Sequence, residues 1–201
     1  MTGPAPPRHL PQLRMEIRGL AGRTGRDGGS TPPPGYGLRT FRPGDEDAWL
    51  ALLQSGEFSP WDRARLDQML ASEHVQVPHD GIHFATQDDR PVGAASTHLH
   101  PGDHGFEPEL GWVVVDPRHR GLGLGRLVCD AVLEYVARLG YDHAYLKTDD
   151  FRLPAIRTYL RLGFEPVLID PSHPARWADI YRLLASTPWP PLSSAGEGAR
   201  R

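Results

Sequence analysis

The spacing of apolar residues changes repeatedly between a period of two and a period of three to four, which predicts strands alternating with helices. Alternation typical of strands occurs at residues 36–42, 81–87, 92–100, 107–115, 142–148 and 164–169. Helical spacing begins after Asp45 and near Ser59, and it recurs at residues 124–139, 154–162 and 174–185. Because both kinds of element occur along one chain, we predict an α/β (α+β) domain of three layers.

The two ends of the chain lack this periodicity. Residues 1–36 contain several prolines and a Gly-Arg-Thr-Gly-Arg-Asp-Gly-Gly run, and residues 188–201 are rich in Pro, Ser and Gly. Segments of this composition bury too little apolar surface to offset the entropy lost on folding. We therefore predict a disordered leader at 1–36, a single domain at 37–187 and a disordered tail at 188–201.

Composition argues against several classes of protein. The formal net charge is −3, whereas a nucleic-acid-binding protein needs a basic face. Cys129 is the single cysteine, so no disulfide forms within the chain. A run of about twenty apolar residues, as in a membrane helix, is not found. The sequence thus favours a cytoplasmic protein, monomeric or homodimeric, without nucleic-acid or membrane partners.

A glycine-rich segment between the strand at 107–115 and the helix at 124–139 is the clearest candidate for a binding site. From Arg118 to Arg126 it reads Arg-His-Arg-Gly-Leu-Gly-Leu-Gly-Arg. A turn that opens a helix leaves backbone N–H groups free, and the helix dipole adds partial positive charge at the same place. This segment therefore predicts an anion site, suited above all to phosphate.

Two common phosphate-binding motifs do not fit the glycine-rich segment. A dinucleotide-binding turn needs a glycine five residues after its first one, but Arg126 stands at that distance from Gly121. A P-loop needs Gly-Lys-Ser/Thr, whereas Gly125 is followed by Arg126 and Leu127. The pattern Arg-x-x-Gly-x-Gly does fit, at Arg120, Gly123 and Gly125, with an offset copy at Arg118, Gly121 and Gly123.

Two segments carry a resemblance to a known family. Val115-Asp-Pro-Arg-His-Arg-Gly-Leu-Gly-Leu-Gly-Arg-Leu127 resembles the core motif of the GNAT superfamily of acetyl-CoA-dependent N-acyltransferases, and Ala155-Ile-Arg-Thr-Tyr-Leu-Arg-Leu-Gly-Phe164 resembles its later Ala-x-x-x-Tyr-x-x-x-Gly-Phe segment. The likeness covers about residues 38 to 169. It implies a GNAT-like mixed, mainly antiparallel central sheet flanked by helices on both faces.

The same resemblance implies a function. It implies transfer of an acetyl group from acetyl-CoA, as cosubstrate, to the primary amine of a small-molecule or peptide acceptor by direct attack. No metal is expected. The alternative is a non-catalytic acyl-CoA-binding sensor or scaffold of the same fold. A family member that acts on aminoacyl-tRNA is disfavoured by the net charge.

The resemblance also assigns a coenzyme site. The main chain of Val113 to Val115 would pair with the pantetheine arm, and the N–H groups from about Arg120 to Arg126 would hold the pyrophosphate. Arginines around the turn would add positive charge. The implied coenzyme-binding residues are Val113, Val114, Val115, Arg118, Arg120, Gly121, Leu122, Gly123, Leu124, Gly125 and Arg126.

Two residues are candidates for the catalytic roles. Tyr159 matches the family tyrosine near the coenzyme sulfur, where a phenol could protonate the leaving thiolate or hydrogen-bond to it. Glu109 is the candidate base for the acceptor ammonium, acting directly or through water; alternation places it on one face with Gly111 and Val113. His98 and His100 share a face of the neighbouring strand, but a His-x-His pair is weak evidence for a metal site.

Two features depart from the family pattern. Arg152 stands where many members have an asparagine that contacts the coenzyme, so that contact is not carried over. Residues 174–185 have the spacing of a helix where a final strand is usual. A tail of this kind is similar to that of the mycothiol synthase branch, from which no acceptor follows.

Overall fold

In the computed structural model, which describes residues 10–23, 31–56 and 60–186, seven strands form one sheet. Along the sheet their order is β2-β3-β4-β5-β6-β1-β7. The strands are β1 Leu13–Arg18, β2 Gly37–Thr40, β3 Ile82–Gln87, β4 Arg90–Gly102, β5 Gly105–Val115, β6 His143–Thr148 and β7 Glu165–Val167. The α-helices are α1 Glu46–Ser55, α2 Arg63–Leu70, α3 Leu124–Arg138, α4 Leu153–Leu162 and α5 His173–Ser186.

Helices cover the sheet on two faces, which confirms the predicted three-layer fold. Strands β5 and β6 are parallel, and the other paired strands are antiparallel. One apolar core contains α1 and α2 side chains such as Trp49 and Leu66, and we call this side of the sheet the α1 face. The other core contains side chains of α3, α4 and α5, such as Val132, and lies on the α3 face.

The predicted disordered leader at 1–36 is wrong for the residues that the structure describes there. Strand β1 lies inside the sheet, between β6 and β7. Its apolar residues Leu13, Met15 and Ile17 point into the core of the α3 face, and Leu13 and Met15 are fully buried. Their alternation with polar residues is the signal of a strand, but it spans only six residues between proline-rich and glycine-rich segments. Residues 1–9, 24–30 and 187–201, including the predicted disordered tail, lie outside the described residues.

The helix predicted at 174–185 is confirmed as α5, His173–Ser186. Trp177 and Ile180 bury the apolar side of this helix against the core of the α3 face. Arg176 ties α5 to the sheet, because its guanidinium donates to the Pro11 carbonyl at 2.8 Å and to the Asp150 carboxylate at 2.6 Å. The strand beside β7 in the sheet is the N-terminal strand β1.

Smaller differences concern the ends of elements. Helix α2 begins at Arg63, later than predicted, because Asp62 caps it by accepting a hydrogen bond from the Arg65 N–H at 2.8 Å. Strand β7 ends at Val167, two residues earlier than predicted, and Ile169 is largely exposed. Among the described residues, no helix is long and apolar enough to cross a membrane.

Candidate functional site

A β-bulge in β5 shapes the site. Ala94 pairs with Val114 but Ser96 pairs with Gly111, so β5 has one more residue than β4 in this interval. Trp112 takes the strain of the bulge, with φ of +48°, a value that side chains other than glycine rarely adopt. The bulge reverses the alternation of the residues that follow it.

This reversal corrects one expectation from the sequence. Leu110 lies in the core of the α3 face, so Glu109 points to the α1 face. Trp112 and Val114 then pack on the α1 face, whereas Val113 packs on the α3 face. Glu109 and Val113 were expected on one face, but a strict period of two does not hold across the bulge.

Beyond the bulge, one edge of β5 is open. In the described residues, β5 pairs in parallel with β6 only at Glu109 and Tyr145, although β5 continues to Val115. Within the described part of the chain, Val114 and Val115 therefore pair with β4 on one side, and Val113 to Val115 pair with no strand on the other. An open strand edge can accept an extended chain that carries amide groups.

The glycine-rich turn follows this open edge directly. Gly121 and Gly123 both have φ of +80°, and Gly123 is the residue before α3. The first hydrogen bond from α3 back to the turn joins Leu127 N–H to the Gly123 carbonyl at 3.0 Å. The backbone N–H groups from Gly121 to Arg126 have no acceptor among the described residues, as expected at a helix start. They form an array of donors suited to an anion.

Three arginines surround the turn. Arg118 has an exposed side chain and pairs with Asp116 at 2.7 Å, a contact whose hydrogen bonds lower the pKa of Asp116 to about 2. Arg120 donates to the Val115 carbonyl at 3.3 Å. Arg126 lies 3.4 Å from Asp130, and its side chain is half exposed. All three guanidinium groups keep donors that can turn towards a bound anion.

Tyr159 lies within α4 on the α3 face and is 7% exposed. Its ring contacts the Phe164 ring edge-on, with centroids 6.0 Å apart. Burial raises the pKa of its hydroxyl far above the ordinary value, with a smaller contribution from nearby Cys129. The phenol therefore stays protonated at neutral pH and is a weaker acid than an exposed tyrosine.

Glu109 lies at the centre of a polar network on the α1 face. His100 Nε2 is 2.7 Å from Glu109 Oε2, and Lys147 Nζ is 3.7 Å from the same oxygen. The Tyr145 side chain lies next to Glu109, and burial, followed by this carboxylate, raises the Tyr145 pKa. The guanidinium of Arg14, from β1, lies 4.0 Å from the Tyr145 ring centroid. Glu109 is thus mostly shielded and joined to side chains from two neighbouring strands.

The two histidines of β4 have different environments. His98 is buried, and burial lowers its pKa to about 3, so the ring is neutral. Its Nε2 is 2.8 Å from the Ser96 hydroxyl. His100 is partly exposed and reaches Glu109. In the described ranges, no group of three or more His, Cys, Asp or Glu residues is arranged to hold a metal ion.

Sequence reasoning missed three members of this network, namely Arg14, Tyr145 and Lys147. Arg14 alternates with the buried residues of β1, a pattern that could have been read as a strand. Tyr145 and Lys147 alternate with the buried Ala144 and Leu146 on β6. Their position next to Glu109 comes from the pairing of β5 with β6, which no local pattern specifies.

Arg152 lies before α4, at the position of the family asparagine. Its guanidinium donates to the Asp149 carboxylate at 3.0 Å and lies 4.9 Å from the Phe151 ring centroid. The helix begins at Leu153, with Pro154 in its first turn.

Comparison with known proteins identifies the family. Residues 46–164 match the family described as the acetyltransferase (GNAT) family. This span is more than half of the chain, and the chain belongs to that family. Both β1 and α5 lie outside the matched residues.

Several curated relatives are mycothiol acetyltransferases. The chain is 34% identical over 152 residues to the one from Acidothermus cellulolyticus, covering 67% of this chain and 46% of the relative. It is 34% identical over 146 residues to the one from Thermomonospora curvata, covering 70% and 48%. The chain thus spans about half the length of these relatives.

Solved structures share the fold. The ribosomal-protein-S18-alanine N-acetyltransferase from Escherichia coli aligns with a TM-score of 0.55 and 21% identity, over 66% of this chain and 79% of that one. A GCN5-related N-acetyltransferase from Sphaerobacter thermophilus aligns with a TM-score of 0.57 and 22% identity, over 79% and 50%. These similarities confirm the GNAT fold.

Proposed function

We propose that the chain transfers an acetyl group from acetyl-CoA to a primary amine by direct attack. The observation that carries this proposal is the open edge of β5, which runs from the Glu109–Tyr145 pair to the glycine-rich turn. At one end it has a carboxylate, and at the other it has free N–H donors. A thioester coenzyme laid along this edge would have its pyrophosphate at the turn and its acyl group near Glu109.

The coenzyme half of the site uses backbone groups. The main chain of Val113 to Val115 would pair with the amides of the pantetheine arm, as a neighbouring strand would. The N–H groups from Gly121 to Arg126 would bind the pyrophosphate, and Arg118, Arg120 and Arg126 would add charge. The left-handed conformation of Gly121 and Gly123 supports this role, because it turns the backbone towards α3 without steric cost.

The acceptor half centres on Glu109. An acceptor ammonium must lose a proton before its nitrogen can attack the thioester carbonyl, and Glu109 would take that proton directly or through water. His100 is more exposed than Glu109 and joined to it at 2.7 Å, so it would pass the proton on to solvent. Backbone N–H groups of the bulged strand would stabilise the oxyanion of the tetrahedral intermediate.

Tyr159 would act on the leaving group. Its raised pKa, caused by burial, makes a hydrogen bond to the thiolate a better role than full proton transfer. The sulfur would then be protonated as the tetrahedral intermediate collapses and the acceptor nitrogen loses its second proton.

The alternative is a domain that binds acyl-CoA without catalysis. Two observations favour it: the burial of Tyr159, and the three partners that already contact the Glu109 carboxylate. Release of free CoA thiol from acetyl-CoA, measured with a panel of amines, separates the two functions. Because the similar curated proteins are named mycothiol acetyltransferases, mycothiol-related amines belong in this panel. Thiol release that needs an added amine supports transfer; tight acetyl-CoA binding without thiol release supports the binding module.

A further inference from the structure

We propose that Lys147 is a self-acetylation site: its ε-amine takes the position of the acceptor amine and receives the acetyl group from acetyl-CoA bound to the same chain. This inference rests on the proposed acetyl-transfer function. Beyond that function, the inference identifies one residue of the chain itself as an acetylation site.

Lys147 is unusual in the composition of the chain. Lysine and arginine together number 22, and Lys147 is the only lysine among them. Arginine stays charged and does not act as an acyl acceptor, whereas a lysine amine becomes a nucleophile once it loses a proton. Lys147 therefore carries the only side-chain amine in the sequence that can accept an acetyl group.

The position of Lys147 matches that of an acceptor. It lies on β6 two residues after Tyr145, and Tyr145 pairs with Glu109 at the last recorded step of the β5–β6 ladder. Because side chains alternate along a strand, Lys147 and Tyr145 project from the same face of the sheet as Glu109. The ε-amine thus lies on the acceptor side, where the open edge of β5 begins.

The contacts of Lys147 leave its amine available. Its Nζ lies 3.7 Å from Glu109 Oε2, a loose ion pair, and 5.5 Å from the Tyr145 ring centroid. Its side chain is 44% exposed. By contrast, Arg14 lies 4.0 Å from the same ring and also donates to Glu16 at 3.0 Å. The carboxylate that contacts the Lys147 amine is that of Glu109, the proposed base of the reaction.

Acetylation of Lys147 proceeds by proton loss, attack on the thioester and collapse of a tetrahedral intermediate. Glu109 takes one proton from the Lys147 ammonium, and the neutral amine forms a bond from Nζ to the thioester carbonyl carbon. When the tetrahedral intermediate collapses, the carbon–sulfur bond breaks and the nitrogen loses its second proton, which ends on the CoA thiolate. The products are Nε-acetyl-Lys147, free CoA and one proton, which Glu109 returns to solvent. Acetylation removes the positive charge next to Glu109.

The test uses the full chain incubated with acetyl-CoA, followed by intact mass and a tryptic map over time. We expect a gain of one acetyl group and loss of trypsin cleavage after Lys147. We also expect a first-order rate that does not depend on protein concentration, because the donor and acceptor belong to one chain. Lys147→Arg should abolish acetylation while keeping the positive charge at this position. Glu109→Gln should slow it by about 100-fold, the usual effect of losing a general base.

Two controls separate catalysis from simple chemical acetylation. Glu107→Gln removes a carboxylate from the same strand face, one that pairs with Arg14 at 3.7 Å, and should leave the rate unchanged. A peptide of residues 141–152, under the same conditions, should acetylate at least about ten-fold more slowly, since it lacks the fold that positions the amine. Unfolding midpoints of each variant confirm that the fold is kept.

Three outcomes would overturn the proposal. In the first, Lys147 stays unmodified although external amines are acetylated, which leaves the proposed function intact. In the second, Lys147 is acetylated at the same rate in wild type, in Glu109→Gln and in the peptide. In the third, the chain neither binds acetyl-CoA nor releases thiol with any amine, which overturns the proposed function as well.

Discussion

His100 Nε2 and Glu109 Oε2 lie 2.7 Å apart on adjacent strands, with side-chain exposures of 30% and 16%. Under the proposed mechanism, the more exposed imidazole connects the shielded carboxylate to solvent. His98, two residues before His100 on β4, is buried and neutral, so it does not share this role.

Glu109→Gln tests the base. We expect kcat for acetyl transfer to fall by about 100-fold, because the amide cannot take the acceptor proton. The affinity for acetyl-CoA, measured by calorimetry, should stay unchanged, since the coenzyme half of the site is built from other residues. Glu107→Gln is the matched control and should keep both values. Equal kcat in wild type and Glu109→Gln would remove Glu109 from the mechanism.

Tyr159→Phe tests the tyrosine. The ring packs in the core and should still do so, so the midpoint of unfolding should change little. If the hydroxyl bonds to the leaving thiolate, kcat should fall while acetyl-CoA affinity is kept. Unchanged kcat would mean that Tyr159 serves only the packing of α4 against α3.

Gly123→Ala tests the anion site. A side chain at φ of +80° costs about 1 kcal/mol, so we expect a modest loss of stability. Gly140→Ala, at the other end of α3 with φ of +91°, is the matched control for this cost. Of these two variants, only Gly123→Ala should weaken acetyl-CoA binding, because Gly123 lies in the donor array and Gly140 lies outside it. Similar losses of affinity in both variants would argue against a binding role for the turn.

Met15→Ala tests whether β1 is part of the folded domain. Met15 is fully buried in the core of the α3 face, so its truncation should cost about 2–5 kcal/mol in the free energy of unfolding. Arg18→Ala, on the same strand with an exposed side chain, should cost under about 0.5 kcal/mol. Urea unfolding of both variants makes the comparison. A loss below about 0.5 kcal/mol for Met15→Ala would mean that β1 does not form in solution.

The burial of His98 predicts that the stability of the fold depends on pH. Its ordinary pKa is 6.5, and burial lowers the value in the folded state to about 3. Between these values the unfolded chain binds the proton and the folded chain does not. Stability should therefore decrease as pH falls below 6.5, by up to about 1.4 kcal/mol per pH unit for this group.

The measurement is urea unfolding of wild type and His98→Gln at several pH values between about 4 and 6.5, within the window that the two pKa values define. The slope of the free energy of unfolding against pH should be smaller in the variant. His104→Gln, in the exposed turn between β4 and β5, should keep the wild-type slope. An equal slope in His98→Gln and wild type would contradict the buried, neutral assignment.

The sequence predicted the elements that have a strong local signal. The helical spacing of Trp177 and Ile180 indicated α5, although a strand is usual at this place in the family. The glycine-rich turn was also placed correctly between a strand and a helix, because Gly121 and Gly123 adopt a conformation that other residues avoid.

What the sequence did not predict depends on distant parts of the chain. Strand β1 has the alternation of a strand, but it lies between proline-rich and glycine-rich segments, and its partners β6 and β7 are distant in the sequence. The bulge at Trp112 breaks a period of two that local reasoning assumes. Lys147 is next to Glu109 because β6 pairs with β5, although Lys147 comes 38 positions later in the sequence.

A structure with CoA bound tests the central claim most directly. We predict that the pyrophosphate oxygens lie about 2.7–3.2 Å from backbone N–H groups between Gly121 and Arg126. The pantetheine arm should run along Val113 to Val115, with its sulfur near Tyr159 and on the side of the sheet from which Glu109 can be reached. CoA bound away from the glycine-rich turn, or an open β5 edge that CoA leaves untouched, would contradict the account.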